Sequence, residues 1–457
     1  MSGILPRYWI FRVSRIRNHK SLSQLFSLSK WPACFHERRE SDVLDFAGSG
    51  DSSPESHNQR CFNLGRQCVW GRCWWPSDPG GEWKLPQPLL IERIHVWDCV
   101  ARFKQGVYTN SRCQKSTTRS RVFQILGTGG WKGFGEVVFP FALAPYLEEE
   151  VIQAEGIFLS ELIGKNFDHL MDRAEAFRTQ EAHWSSVAFA FETAWYDLQG
   201  KQQNATISSI LGGKRSHRVT PYLSISVSDQ RELQEQLRSK TKNEKVVQLK
   251  LTNQSWADDM AWIHQILDHH PPVELLLADA NGKWSVSEAC GMISRFQDPR
   301  IIWEEPCATY SENAQVEQMT HQRVMADQCV GSMAIAEQAV REKAVSAITI
   351  KPAYLGGLST ARHLLDRCAE RGVRVRVDGP WCGGIGAAAV LHLAAGVESE
   401  LLIASCNLQA PLETLAMPGG VVEFPDGKLS PPEGPGLGLK DESLDERFGV
   451  PQAIYST

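Results

Sequence analysis

Eight short apolar runs alternate with stretches of helix length through the second half of the chain. The runs lie at 219–224, 246–251, 273–278, 300–304, 323–326, 346–350, 373–377 and 401–405. Segments such as 256–269, 285–297 and 357–371 separate them and repeat their apolar residues at helical spacing. Short buried strands that alternate with helices form parallel sheets, and eight such units over about 200 residues are the sequence form of a (β/α)8-type barrel.

The same runs end in charge. Lys250 closes VVQL, Asp279 follows ELLLA, Glu304 follows IIW, Asp327 follows RVMA, Lys351 follows AITI, and Asp378 follows VRVRV. Successive spacings are 29, 25, 23, 24 and 27 residues. One βα unit of a barrel takes about 25 residues, so each charge belongs to the next strand and projects at the C-terminal mouth. A single acid after a strand is an ordinary solvated loop residue. Five charges in this order, from Lys250 to Lys351, make a site.

Asp279, Glu304 and Asp327 come from three consecutive strands, and three converging carboxylates repel one another without a cation. Oxygen-only ligands select a hard divalent ion, Mg2+ or Mn2+, and leave positions for water and substrate. Lys250 and Lys351 flank the acids on either side. A lysine beside a divalent ion has its ammonium form disfavoured, so a lowered pKa and use as a base are expected. Asp378 contacts substrate, orients a neighbour or caps the following helix. His392, inside VLHLAA, reads as a packing residue.

Upstream, 89–99 and 120–126 are strand-like, and glycines between 127 and 135 mark turns of a small antiparallel sheet. Residues 168–201 are helical in pattern, with Gly200 as the stop. The first 85 residues differ. Residues 1–36 are rich in Arg and Ser, and the first acid is Glu37. A disordered extension of a cytoplasmic protein is the leading reading; the composition also resembles a transit peptide, which would imply a mitochondrial address. His57, Cys61, Cys68 and Cys73 match no paired zinc-ligand spacing. None of the twelve cysteines forms a CxxC pair, and the eight from Cys99 onward are scattered singly, as reduced intracellular thiols are.

With 48 basic and 53 acidic residues the net charge is −5, which gives the chain no general reason to bind nucleic acid. No apolar run reaches the roughly 18 residues of a membrane-spanning helix. A small-molecule carboxylate is the partner the mouth residues suit, and a homo-oligomer is open.

Several stretches together resemble the enolase superfamily in its mandelate racemase/muconate lactonizing enzyme branch. They are FETAWYDLQGK with LGGK, QLK ending at Lys250, ADAN with Asp279 and Asn281, WEEP with Glu304, ADQ with Asp327, IKPAYLGGLSTA with Lys351, and GGIGAAAVLHLAA. The resemblance covers about 88–445. It implies an α/β fold: a barrel domain at 216–431, an N-terminal α+β capping domain at 86–215 joined by residues 432–457, and an irregular leader at 1–85. It further implies Mg2+ on Asp279, Glu304 and Asp327, and Lys250 and Lys351 as acid/base catalysts on an enediolate path. Two departures stand out. Many relatives carry KxK where this chain has Gln248 before Lys250, and many carry Asp-Glu where it has Asp327-Gln328. QLK, GVYTNS (106–111) and DGPWCGGIGAAAVLHLA look most like relatives acting on proline derivatives, the cis-3-hydroxy-L-proline dehydratases and hydroxyproline-betaine epimerases. Dehydration of a hydroxyproline-type amino acid is therefore the leading expectation. Racemisation or epimerisation, sugar-acid dehydration and a non-catalytic barrel are the alternatives. Tyr108 and Trp381 are candidates for the pocket wall, where a tryptophan face holds a cationic nitrogen; ordinary packing accounts for them equally well.

Overall fold

A computed structural model describes residues 88–457, apart from 110–113, 141–142, 214, 216–218, 228, 241–244, 270–272, 414–428, 441–447 and 457. The transit-like stretch and the His57/Cys61/Cys68/Cys73 group lie outside the described residues.

The chain first builds an antiparallel sheet. Strand β1 (Ile91–Arg102) buries Ile91, Ile94, Val96 and Trp97. After a two-residue ribbon of β2 (Tyr108–Thr109) and β3 (Gln114–Lys115), strand β4 (Thr117–Gly127) pairs along β1, with Ile94 opposite Ile125 and Val96 opposite Phe123. Strand β5 (Lys132–Val138) completes the pairing on the far side of β4. The helices His169–Arg178 and Ser185–Gln203 pack with it around a core of Phe123, Phe158, Phe177, Trp184 and Phe191. Gly135 makes the approach possible: a Cβ there would meet the Ala190 carbonyl oxygen at 2.0 Å.

The barrel follows. Its strands are β6 (Tyr222–Ser226), β7 (Val246–Lys250), β8 (Leu275–Asp279), β9 (Ile301–Glu304), β10 (Val324–Ala326), β11 (Ala347–Ile350), β12 (Arg374–Val377) and β13 (Leu402–Ser405), ordered consecutively and all parallel. Ser405 N donates to Thr220 O at 2.9 Å, which brings the last strand back to the first. Every expected strand is present, with ends shifted by a residue or more. Among the intervening helices, Trp256–His269 and Leu358–Arg371 match the apolar periodicity closely. Capping boxes at Ser285/Glu288 and Thr309/Glu312 start two others, because those side chains satisfy amide donors that helix geometry leaves open. Beyond the barrel, β14 (Ala453–Ser456) returns to the other outer edge of β1, with Tyr455 opposite Ile94.

Two expectations need correction. The helical pattern at 168–201 is two helices separated by a 3-10 turn at Ala182–Trp184. Gly200 does not stop the second helix, which runs to Gln203 and ends on Asn204 at φ 49°. Gly200 answers crowding instead, since a Cβ on it would lie 2.5 Å from Gly436. Among the described residues, no helix is long and apolar enough to cross a membrane.

Candidate active site

Strand register assembles the site. Lys250, Asp279 and Glu304 are the last residues of adjacent strands and stand side by side. Glu304 is level with Met325, so Asp327 lies two residues further along and keeps the same facing. Lys351 follows β11 and Asp378 follows β12 in the same phase as Thr349 and Arg376, which are register partners. All six charged residues named from the sequence therefore sit at one end of the barrel.

Each acid meets a cation. Lys250 Nζ pairs with Asp279 Oδ2. Lys351 Nζ lies 2.7 Å from Asp327 Oδ1. Arg376, 1% exposed, grips both oxygens of Glu304, at 2.7 Å through Nη1 and 2.6 Å through Nη2. Gln248 Nε2 donates to Glu304 Oε2 at 2.8 Å and to Asp279 Oδ2 at 3.1 Å, and the Ser224 hydroxyl fixes that amide by donating to its Oε1. Asn281, at φ 50°, donates its backbone N–H and its Nδ2 to Asp279 Oδ1 at 2.8 and 2.7 Å. The next residue of WEEP, Glu305, accepts from the backbone N–H groups of Asp327 and Cys329 and so shapes the loop that carries Asp327.

Burial acts to lower the pKa of Lys250, but the charges of Asp279, Tyr108 and Glu304 outweigh it and the net direction is upward. Lys351 behaves likewise: burial lowers and Asp327 raises, with the rise larger. Each lysine is thus held as an ammonium by the carboxylate it faces. Burial and the neighbouring Glu304 charge push Asp279 up to about 7. Burial would also raise Asp327, yet Lys351 and Arg376 bring it down to about 2.

A cavity of about 350 Å3 opens above these groups. Lys250, Lys351, Asp327, Asp378, Tyr108 and Trp381 line it, together with Gln248, Tyr222 and Arg376. Asp279 and Glu304 are fully buried and are not among its lining residues. Tyr108 meets Trp381 edge to face at 5.5 Å and stacks on Phe103 at 5.3 Å. Thr118 Oγ1 donates to the Trp381 carbonyl at 3.3 Å, which ties that wall to β4. Asp378 accepts from Tyr222 Oη at 2.8 Å and from Gly379 N. It does not cap the following helix. Glu136 of β5 does so, accepting from Gly383 N and Gly386 N at 2.8 and 2.9 Å. His392 packs in the interior between Ser208 and the Leu437 carbonyl, as its mid-helix place suggests.

Sequence reading misses Arg376 and Tyr222. The signal for Arg376 is VRVRV, a barrel strand whose Arg374 and Arg376 share the facing of Asp378.

As placed, the acids lean toward their cations, and among the described residues no three acidic, His or Cys side chains form a ready ion cage. In kind and backbone position they nevertheless fit a hard divalent ion. Three carboxylates end neighbouring strands, and Asp327 Oδ1 is buried without an aligned hydrogen bond.

The chain matches the family described as Enolase C-terminal domain-like over residues 232–443. It is 26% identical over 374 residues to the cis-3-hydroxy-L-proline dehydratase of Roseibium aggregatum, covering 80% of this chain and all of that one. The crystal structure of a mandelate racemase/muconate lactonizing enzyme from Roseovarius nubinhibens ISM superposes with a TM-score of 0.70 at 26% identity, over 81% of this chain and all of that one. A further structure from the same organism, described as a mandelate racemase/muconate lactonizing enzyme complexed with magnesium, has a TM-score of 0.69 at 22% identity and covers 80% of this chain and 100% of that one. This chain is accordingly an enzyme of the lyase and isomerase type found among such relatives.

Proposed function

We propose that the protein is a Mg2+-dependent enzyme that removes the α-proton of a small carboxylate substrate and then eliminates water, acting on a hydroxyproline-type amino acid. The observation that carries this reading is the placement of Lys250 and Lys351 on either side of the acid row, both lining one cavity. Asp279, Glu304 and Asp327 would hold the ion, which supplies positive charge against the negative charge that builds on the substrate carboxylate as the α-proton leaves. In this reading residues 86–215 with 432–457 form a capping domain that closes the mouth of the barrel at 216–431.

One lysine takes the α-proton and the other faces the opposite side of the substrate. A lysine accepts a proton only as the free amine, so each must first be released from the carboxylate that holds it charged. Tyr108 and Trp381 form an aromatic wall suited to a cationic ring nitrogen. Asp378, oriented by Tyr222, offers an acceptor to the same group. The similarity to a cis-3-hydroxy-L-proline dehydratase supports the substrate class.

The opposed lysines also suit a second reading, epimerisation, in which the second lysine returns a proton to the other face. Proton NMR in D2O, with cis-3-hydroxyproline, proline betaines and other amino and hydroxy acids, tests both. Mg2+-dependent loss of an α-proton signal is expected. A dehydrated product marks the first reading and an inverted centre the second. The absence of exchange on every such compound would remove the substrate class.

A further inference from the structure

Arg376 is a fixed charge in this site that the reaction above does not use. It projects from β12 and is almost wholly buried. Its two terminal nitrogens occupy both oxygens of Glu304. Nη2 lies 3.4 Å from Asp327 Oδ1, Nε lies 3.4 Å from Asp378 Oδ2, and the Tyr222 ring sits 5.2 Å from the guanidinium carbon. Gln248 reaches the same Glu304 Oε2 from β7 as a neutral amide. Position 248 thus brings a hydrogen bond to Glu304 without charge, and position 376 brings the charge.

We propose that Arg376 is a positioning residue that serves as the resident counter-cation of Glu304, and that it competes with the divalent ion for that carboxylate. The proposal rests on the reading that Asp279, Glu304 and Asp327 hold such an ion. A planar guanidinium matched to a carboxylate takes both oxygens at once and is never deprotonated. An ion entering the acid row must therefore share Glu304 with a permanent positive charge or draw it away. The metal-free protein, in turn, has Glu304 neutralised in the interior, where an unpaired carboxylate is strongly unfavourable.

The test uses the whole chain stripped of metal. Wild type, R376M, R376Q and the swap variant Q248K/R376M are compared by thermal unfolding without metal and by calorimetric titration with Mg2+ alone. R376M is expected to lose on the order of 5 °C in metal-free Tm, because Glu304 loses its partner. It is also expected to bind Mg2+ at least about tenfold more tightly, since an opposite charge within a few Å shifts a carboxylate's affinity for cations by about that factor or more. R376Q keeps a donor without charge and shows the same tightening, which carries the test should R376M not fold. The swap returns a cation to Glu304 from β7 and restores both Tm and Mg2+ affinity toward wild type. Unchanged or weaker Mg2+ binding in R376M and R376Q overturns the competition, and a swap that fails to restore Tm overturns the counter-cation role. Equal, measurable binding in wild type and variants removes this proposal alone; no binding in any of them removes the metal reading and this proposal with it.

Discussion

Glu192 accepts two hydrogen bonds from Ser359, one from its backbone N–H at 2.8 Å and one from its hydroxyl at 2.5 Å, across 167 residues of sequence. The carboxylate thereby caps the helix Leu358–Arg371 from outside the barrel. Arg178 pairs with the same carboxylate and donates to the Gly356 carbonyl at 3.0 Å. Together they clamp the turn that follows Lys351. Substituting Glu192→Ala leaves Arg178 and the helix start without their partner, and a destabilisation of about 3–5 kcal/mol is expected. Urea unfolding measures it; a loss under about 1 kcal/mol would show that the clamp contributes little.

The two lysines are predicted to fail differently. In K250A and K351A, turnover of the natural substrate falls by at least about a hundredfold. Solvent exchange of the α-proton survives in each variant for one stereoisomer only, the one whose proton faces the remaining lysine. NMR of both stereoisomers in D2O checks this, and equal exchange of both by either variant would contradict two opposed bases.

Metal affinity is predicted to depend on pH through Asp279. Its folded carboxyl, at about 7, lies above the ordinary value of 3.8. The folded metal-free protein therefore binds this proton more tightly than the unfolded chain does, and its stability falls as pH rises from about 4 to about 7. Mg2+ binding requires the carboxylate, so affinity rises about tenfold per unit up to about pH 7 and then levels. Calorimetric titrations at pH 6, 7 and 8 measure it, and a flat profile would mean that Asp279 gives up no proton to the ion.

Gly135→Ala is predicted to cost about 3 kcal/mol or to prevent folding. The added Cβ would meet the Ala190 carbonyl at 2.0 Å, and backbone on both sides cannot yield. Thermal unfolding checks it against Gly130→Ala, where the space is open and only a positive φ of 79° resists the side chain.

The barrel and the acid row are legible in the sequence for one physical reason. A buried parallel strand is mostly apolar, so the charge that closes it marks where the strand reaches the mouth. Lys250, Asp279 and Glu304 stand out in this way. Arg376 does not, because it lies inside VRVRV and looks like an exposed strand residue until Glu304 is seen opposite it. Tyr222 is hidden in the same manner, as an apolar-looking strand start whose hydroxyl finds Asp378 from 156 residues away. The direction of the lysine shifts is equally illegible, since it depends on which carboxylate each ammonium faces. Glycines mislead in the reverse sense: Gly200 looks like a helix terminator but is there to admit Gly436.

Strand β1 is made before all eight barrel strands, and its outer partner β14 after all of them. Until that partner is synthesised, β1 carries an unpaired row of amide and carbonyl groups, a template for a neighbouring chain. The order of synthesis thus gives this protein a vulnerable interval that its finished structure conceals. A ribosome paused before β14 would leave β1 with one sticky edge.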